Sequence, residues 1–233
     1  MNIALFGYGK MGKMIEQIAL NRNHNIVAKI DVDTTEINFS EIDVAIDFSM
    51  PNAAFNNIKM CMVNNIPLIC GTTGWLEDYE NAVRICKENN GAFIYASNFS
   101  LGVNLFFELN SYLAKMMGNL KQYQVSMEEI HHTQKLDAPS GTAITLAEGV
   151  INETDYSGWK LDTANANEIP ITAKRINDTP GTHTVNYNSE VDSIEIKHTA
   201  HNREGFALGA VVAAEWILDK KGVFTMKDVL NLS

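Results

Sequence analysis

The apolar positions of the N-terminal segment fall into two alternating rhythms. Residues 3–6, 26–30, 44–48, 68–70 and 93–96 are short, strongly apolar runs of strand type, while residues 11–20, 52–63 and 76–88 carry apolar side chains at helical spacing. This alternation predicts βαβ units and a parallel sheet with helices on both faces, because a crossover between parallel strands needs a helix-length connection. Pro51 stands at the start of the second helix, where its missing N–H costs little.

From Leu101 the rhythm changes. Leu105, Phe106, Leu109, Leu113 and Met117 mark one long apolar helix that stops at Gly118. Residues 123–130, 169–176, 182–187 and 193–199 then alternate as half-exposed strands do. Strands that follow one another in this way predict an antiparallel or mixed sheet, and hence a second, smaller α+β domain. Residues 153–168 are polar and weakly periodic and read as a loop. Residues 205–218, apolar at Phe206, Leu208, Val211, Val212, Trp216 and Ile217, read as a helix that returns to the first domain. The expected organisation is a Rossmann-type α/β domain from residues 1–100 and 205–233, with a substrate-binding domain from residues 101–204. Residues near Asn98 and Arg203 would connect the two, as a hinge that closes over substrate.

Composition narrows the function classes. With 45% hydrophobic residues the chain has material for real cores, and 18 Lys and Arg against 28 Asp and Glu give a net charge of −10. That balance argues against a nucleic-acid partner and requires the cations for any anionic ligand to be gathered locally. No apolar run approaches the roughly 18 to 20 residues that span a bilayer, and Met1 leads straight into a strand, so a cytoplasmic protein with no membrane partner is expected. Cys61, Cys70 and Cys86 are odd in number, lack C-x-x-C spacing and lie in apolar stretches, which predicts buried reduced thiols.

Gly7-Tyr8-Gly9-Lys10-Met11-Gly12 sits between an apolar strand and an amphipathic helix. In this setting Gly7 permits a tight turn, Gly9 lets backbone amides approach a diphosphate, Gly12 allows close helix packing, and the helix start presents N–H donors to the phosphates. Lys10 and Met11 occupy the first turn of that helix. Asp31 ends the second strand where a carboxylate can bind the ribose hydroxyls, and no Arg follows in Val32-Asp33 to meet a 2′-phosphate, so NADH is the expected cofactor. Lys10 and Lys13 leave NADPH possible. Phe48-Ser49, Gly71-Thr72-Thr73-Gly74 and Ser97-Asn98-Phe99 follow later strands and open onto the same carboxyl edge of the sheet, where open α/β folds bind ligands.

The densest polar cluster is His131-His132-Thr133-Gln134-Lys135-Leu136-Asp137-Ala138-Pro139-Ser140-Gly141-Thr142-Ala143, at the end of a strand and the start of a helix. Adjacent residues on a strand point to opposite faces, so His131 and His132 do not readily share one ion, and no carboxylate or Cys joins them at zinc-like spacing. No metal is expected. A helix start at Ser140, Gly141 and Thr142 that presents amides and hydroxyls to a phosphate or carboxylate fits better. Arg175, His183, His198 and Arg203 read as solvated charges on or near the later strands.

The run from His131 to Ala143, with Gly7 to Gly12, Gly71 to Gly74 and Asn98-Phe99-Ser100-Leu101-Gly102-Val103-Asn104, closely resembles the 4-hydroxy-tetrahydrodipicolinate reductase family, also called dihydrodipicolinate reductase. The likeness extends over nearly the whole chain, through residues 205–210 and 224–230. It implies NAD(P)H-dependent reduction of a small cyclic dicarboxylate in diaminopimelate and lysine biosynthesis. His131 then matches the proton donor and Lys135 the second catalytic residue, with His132, Ser140, Gly141 and Thr142 holding substrate. A homotetramer formed through the second domain's sheet is also implied. Two departures are visible: residues 32–41 form a short connection, and Met50 stands where relatives often have a basic residue, which again favours NADH. An aspartate-dehydrogenase-like enzyme, or a sensor without catalysis, would share the glycine fingerprint but would not require Lys135 or the Ser-Gly-Thr helix start.

Overall fold

The computed structural model describes residues 1–31, 33–34 and 36–232. In chain order the strands are β1 (Asn2–Phe6), β2 (Asn25–Ile30), β3 (Val44–Asp47), β4 (Leu68–Cys70), β5 (Ala92–Tyr95), β6 (Gln124–His131), β7 (Gly158–Leu161), β8 (Glu168–Arg175), β9 (Gly181–Asn188), β10 (Ser193–Ala200) and β11 (Gly222–Phe224). The helices are α1 (Lys10–Asn21), α2 (Pro51–Val63), α3 (Tyr79–Glu88), α4 (Leu101–Met117), α5 (Gly141–Ile151), α6 (Glu204–Ile217) and α7 (Met226–Val229). The chain forms two compact units, one from Met1–Leu101 with Glu204–Ser233 and the other from Gly102–Arg203.

The first unit is built on a sheet of order β11-β5-β4-β3-β1-β2, parallel at every pairing. Strand alternation sorts its side chains to two faces. Ile3 and Leu5 of β1, Val44 and Ile46 of β3, and Ile94 of β5 pack with Ile15 and Ala19 of α1 and the alanine-rich face of α6. Ala4, Phe6, Ala45, Leu68 and Phe93 point the other way, against Ile58, Cys61 and Met62 of α2 and Ala82 and Cys86 of α3. All three cysteines are free and buried, as expected. Pro51 occupies the first turn of α2. Successive strands are laid to opposite sides of β1, with β2 on one side and β3 on the other. This topological switch opens a crevice at the carboxyl ends of β1 and β3.

The second unit holds a five-stranded mixed sheet of order β10-β9-β6-β8-β7, in which β9 runs antiparallel to β6 and β10, while β8 is parallel to β6 and β7. Phe106, Leu113 and Met117 of α4 and Leu146, Ala147 and Val150 of α5 pack on Val125, Met127, Ile169, Ile171, Val185 and Tyr187 of the sheet.

Two local expectations are corrected, and two short elements went unread. Residues 153–168 contain β7, a four-residue edge strand with its side chains half-buried or exposed, too short and too polar to show alternation. Residues 76–88 open with a 3₁₀ turn at Leu76–Asp78 before α3. The short elements β11 and α7 have no periodic signal long enough to read. Val32, used in reading cofactor choice, lies outside the described residues.

Candidate active site

The fingerprint glycines are placed by backbone contacts that exclude a side chain. Gly7 follows β1 with φ +85°, its N–H donates to the Ile30 carbonyl at 2.8 Å, and a methyl there would overlap the Phe48 carbonyl. Gly12 is buried, and a methyl there would overlap the Gly7 carbonyl. Gly9 differs: nothing stands within 4 Å of where its side chain would be. It is the N-cap of α1, with no side-chain cap bond and no acidic residue in the first turn. The first amides of the helix are therefore left to an external acceptor, and the unopposed dipole favours an anion.

A cleft of about 720 Å³ opens here, lined among others by Gly7, Gly9, Asp31, Phe48, Ser49 and Asn57. Its volume lies in the range of ligand sites. These residues fit a dinucleotide: donors for the diphosphate at α1, a carboxylate at the end of β2, and an open lane over Gly9. Lys10 is exposed and Met11 half-buried at the helix start. Lys29 near this cleft is engaged, its ammonium 2.7 Å from Glu16, bonded to the Tyr8 hydroxyl and 4.4 Å above the Tyr8 ring. The Tyr8 hydroxyl in turn donates to Glu16. The Asp31 amide donates to the Thr34 hydroxyl at 3.0 Å.

The other carboxyl-edge loops are tied together by Asp47. Its Oδ1 accepts from the Ser49 amide at 2.9 Å and from the Thr72 hydroxyl at 3.1 Å, and the Thr72 oxygen also accepts from the Ser49 amide. Burial pushes the Asp47 carboxyl up, against the pull of those bonds. Trp75 donates from Nε1 to the Thr72 carbonyl at 2.7 Å, and the Phe48 ring packs over Gly71, leaving no room for a side chain there. Thr72 is thus buried inside the loop, while Thr73 and Ser97 are exposed and Asn98 is half-buried, its Oδ1 accepting from the Ser100 amide. The Phe99 side chain is 1% exposed, packed at 5.9 Å from the Phe48 ring, with its carbonyl against Gly209 of α6, so any part it has in ligand contact falls to its backbone.

In the second unit the pleat of β6 sends Val125, Met127, Glu129 and His131 inward and leaves Ser126, Glu128, Ile130 and His132 half-buried on the other face. His131 and Glu129 are therefore neighbours on one face. Glu129 is fully buried, and its Oε2 accepts from the Ser140 amide at 3.0 Å while Oε1 accepts from Arg175 Nη2 at 3.0 Å. The same Oε2 lies 3.6 Å from His131 Nδ1 and 3.7 Å from His183 Nε2. Burial raises Glu129, but the Ser140 bonds and the Arg175 guanidinium outweigh it and hold the carboxyl below its usual range. His131 is pushed down by burial, with Glu129 opposing. His183 is pushed down to about 4 by burial and by His131, whose ring is 5.0 Å away.

The turn after β6 is stapled from β8. Arg175 donates to the carbonyls of Lys135 and Asp137, and Thr133 donates to Asn177. Lys135 is a half-buried cation held by both oxygens of Asp137 at 2.8 Å, which lowers the Asp137 carboxyl. Ser140 caps α5, its Oγ accepting from the Ala143 amide at 3.2 Å and standing 3.1 Å from His183 Nε2. Ser140 is 3% exposed, with its amide on Glu129 and its hydroxyl on the Ala143 amide and beside His183, so it shapes the helix start from within. Gly141 is exposed and Thr142 half-buried at the helix start. A polar cavity of about 440 Å³ nearby is lined by His132, Thr133, Gln134, Asn177, His201 and Arg203.

Sequence reasoning missed Glu129 and set Arg175 and His183 aside as surface charges. His183 is buried, and Arg175 is largely covered. The signal for Glu129 was its position two residues before His131 on one strand, which shares a face. It also corrects the statement that no carboxylate joins the histidines: Glu129, His131 and His183 bring potential ligand atoms within 4.8 Å of one another. The set fits a dication poorly, since a guanidinium occupies one carboxylate oxygen and an amide donates to the other.

Comparison with known proteins fits this geometry. Residues 1–99 match the family profile described as dihydrodipicolinate reductase, N-terminus, and residues 102–230 match that for the C-terminus. The chain is 61% identical to a 4-hydroxy-tetrahydrodipicolinate reductase of Christiangramia forsetii, over 99% of this chain and 98% of that protein. It is 36% identical to the enzyme of the same description from Methanocaldococcus jannaschii, over 82% of this chain and 72% of that one. Among solved structures, a dipicolinate-bound dihydrodipicolinate reductase from Paenisporosarcina sp. TG-14 shares the fold with a TM-score of 0.81 at 24% identity, covering 97% of each chain. The chain belongs to the dihydrodipicolinate reductase family.

Proposed function

We propose that the first unit binds NADH, in preference to NADPH, along the carboxyl ends of β1 and β3, and that the second unit holds a small cyclic dicarboxylate and protonates it from His131. Family membership makes the chain an NAD(P)H-dependent oxidoreductase, a 4-hydroxy-tetrahydrodipicolinate reductase of diaminopimelate and lysine biosynthesis. When bound, the dinucleotide supplies a hydride. The chain's own residues do the rest. Gly7, Gly9, Lys10, Met11 and Gly12 seat the diphosphate on α1, and Asp31 takes the ribose hydroxyls, where a 2′-phosphate would meet like charge. Ser49, Gly71, Thr73, Ser97 and Asn98 line the edge toward the nicotinamide, with Phe48 and Thr72 shaping it from beneath.

The substrate's carboxylates are drawn to His132, to Lys135, and to the amide and hydroxyl at Gly141 and Thr142. Hydride addition leaves an electron-rich carbon, and imidazolium donates the proton that completes the reduction before it is recharged from water. The observation that carries this reading is the placement of His131 at the inner end of β6, beside buried Glu129 and one turn before Lys135. We read the reaction as independent of metal, the enzyme as cytoplasmic, and the assembly as a homotetramer joined through the second unit's sheet. The largely exposed β10 supports that last reading, and light scattering at a mass near four chains is the expected result.

The test is loss of NADH absorbance with substrate generated in place by the upstream synthase, repeated with NADPH. The expected outcome is a higher kcat/KM for NADH. His131→Gln should lower kcat by about 10² to 10⁴ with NADH binding unchanged. A variant as active as the parent would remove His131 from the role.

A further inference from the structure

We infer that Glu129 is a positioning residue for His131: clamped by Arg175 and the Ser140 amide, its carboxylate holds the proton of His131 on Nδ1, so that Nε2 is the nitrogen that exchanges a proton with substrate. This rests on the assignment of His131 as proton donor and specifies how that imidazole is prepared.

Three observations point to it. His131 Nδ1 is buried without a hydrogen-bond partner, and the Glu129 Oε2 carboxylate oxygen lies 3.6 Å from it, a gap that contacts to bound substrate commonly close in catalytic sites. The carboxylate itself has no freedom to turn away, because Oε1 is held at 3.0 Å by Arg175 and Oε2 at 3.0 Å by the Ser140 amide. The other ring nitrogen has Gly181 packed against it, where a methyl would stand 3.1 Å from Nε2, so the glycine spares that nitrogen a side-chain contact. An imidazole flanked by a fixed carboxylate on one nitrogen has its tautomer set by that carboxylate.

The groups that face His131 are Glu129 on its own strand, Lys135 and Asp137 in the following turn, Arg175 at the end of β8 and His183 on β9, with His198 of β10 acting on His183. Of these, Glu129 and Asp137 favour the imidazolium and the cations oppose it. Removing the Glu129 charge therefore disfavours the imidazolium, and removing the Arg175 charge favours it.

Two measurements test the proposal. In the wild-type holoenzyme labelled with ¹⁵N in its imidazoles, with the His131 signals assigned by their loss in His131→Gln, neutral His131 at pH 8 should show the Nδ1–H tautomer. An Nε2–H tautomer overturns the proposal, and the tautomer is read on the wild-type protein with Glu129 in place. In the kcat profile, Glu129→Gln should move the alkaline fall of activity to lower pH by about one unit, while Arg175→Gln moves it to higher pH. A Glu129→Gln profile displaced by less than about 0.3 unit, whatever the loss of rate, overturns it as well. If His131→Gln keeps its activity, the underlying assignment falls instead, so the two failures are distinguishable.

Discussion

The Thr72 hydroxyl donates to Asp47 Oδ1 at 3.1 Å, and this bond joins the loop after β4 to the loop after β3. The same oxygen accepts from the Ser49 amide, so one buried carboxylate sets two of the edges that face the dinucleotide cleft. Because burial raises the Asp47 carboxyl, its charge weakens the fold as pH rises through the folded value, and its stabilising contribution is full only at acid pH. Asp47→Asn keeps the accepting oxygen and removes the charge. Its melting temperature at pH 7 should equal or exceed that of the parent, with the advantage gone near pH 4. Asp47→Ala strands the Ser49 amide and the Thr72 hydroxyl and should cost about 1 to 3 kcal/mol. A destabilised Asn variant at pH 7 would contradict this account.

Glycines 9 and 209 should separate binding from stability. Gly9 has open space where a side chain would stand and an ordinary φ of −79°, so Gly9→Ala should fold with a stability loss under about 1 kcal/mol. Its methyl intrudes where the diphosphate is proposed to lie, and the Kd for NADH, read by fluorescence, should rise about tenfold or more. Gly209→Ala places a methyl into the Phe99 carbonyl and should cost about 1 to 3 kcal/mol or more in denaturant unfolding.

His183 should govern acid stability. Its folded pKa of about 4 lies below the unfolded value, so the stability it contributes is complete above about pH 6.5 and is lost as pH falls toward 4. The full contribution is on the order of 3 kcal/mol. His183→Asn should flatten the pH dependence of urea unfolding between pH 6.5 and 4. An unchanged slope would show that His183 charges without penalty.

Glu215 joins α6 to the turn after α1, accepting from both Arg22 Nε and Nη2 at 2.8 Å and lying 2.7 Å from His24 Nε2. The Arg22 bonds hold its carboxyl low, so the stabilisation is present above about pH 4.5 and fades as acid protonates it. The pair is partly exposed and screened, and Glu215→Gln should cost only about 0.5 to 1 kcal/mol at low salt. The difference should shrink in 1 M NaCl. A loss that persists there would mean that packing, not charge, is at work.

Dialysis against EDTA should leave kcat unchanged, because the Glu129 carboxylate is already engaged by Arg175 and Ser140. Lost activity restored by zinc would reverse that assignment.

Much of this arrangement was legible from residue order. The glycine fingerprint could be placed because Ile3, Leu5 and Phe6 on one side and Ile15 and Ala19 on the other have unmistakable periods. The H-H-x-x-K run stood out because so many polar groups rarely gather at a strand end for packing alone. What stayed hidden was partnership across the sheet. Arg175 and His183 come from strands far along the chain, and only the registers of β8 and β9 against β6 bring them to Glu129. The burial of Phe99 and Ser140 was not legible, because loop position suggests exposure, whereas the Gly209 contact and the helix cap draw both inward. The edge strands β7 and β11 are too short for a period to register.

The first unit is discontinuous in the chain: α6 fills one face of its sheet, and β11 completes the edge beside β5. On the ribosome, the Ile3, Leu5, Val44 and Ile46 face must therefore wait, covered only by α1, until Glu204–Ile217 has been synthesised, while the inserted unit is already whole. Biogenesis thus runs from the middle outward, and a message truncated just after Arg203 would release a polypeptide with a complete inner unit and a greasy, unfinished nucleotide fold.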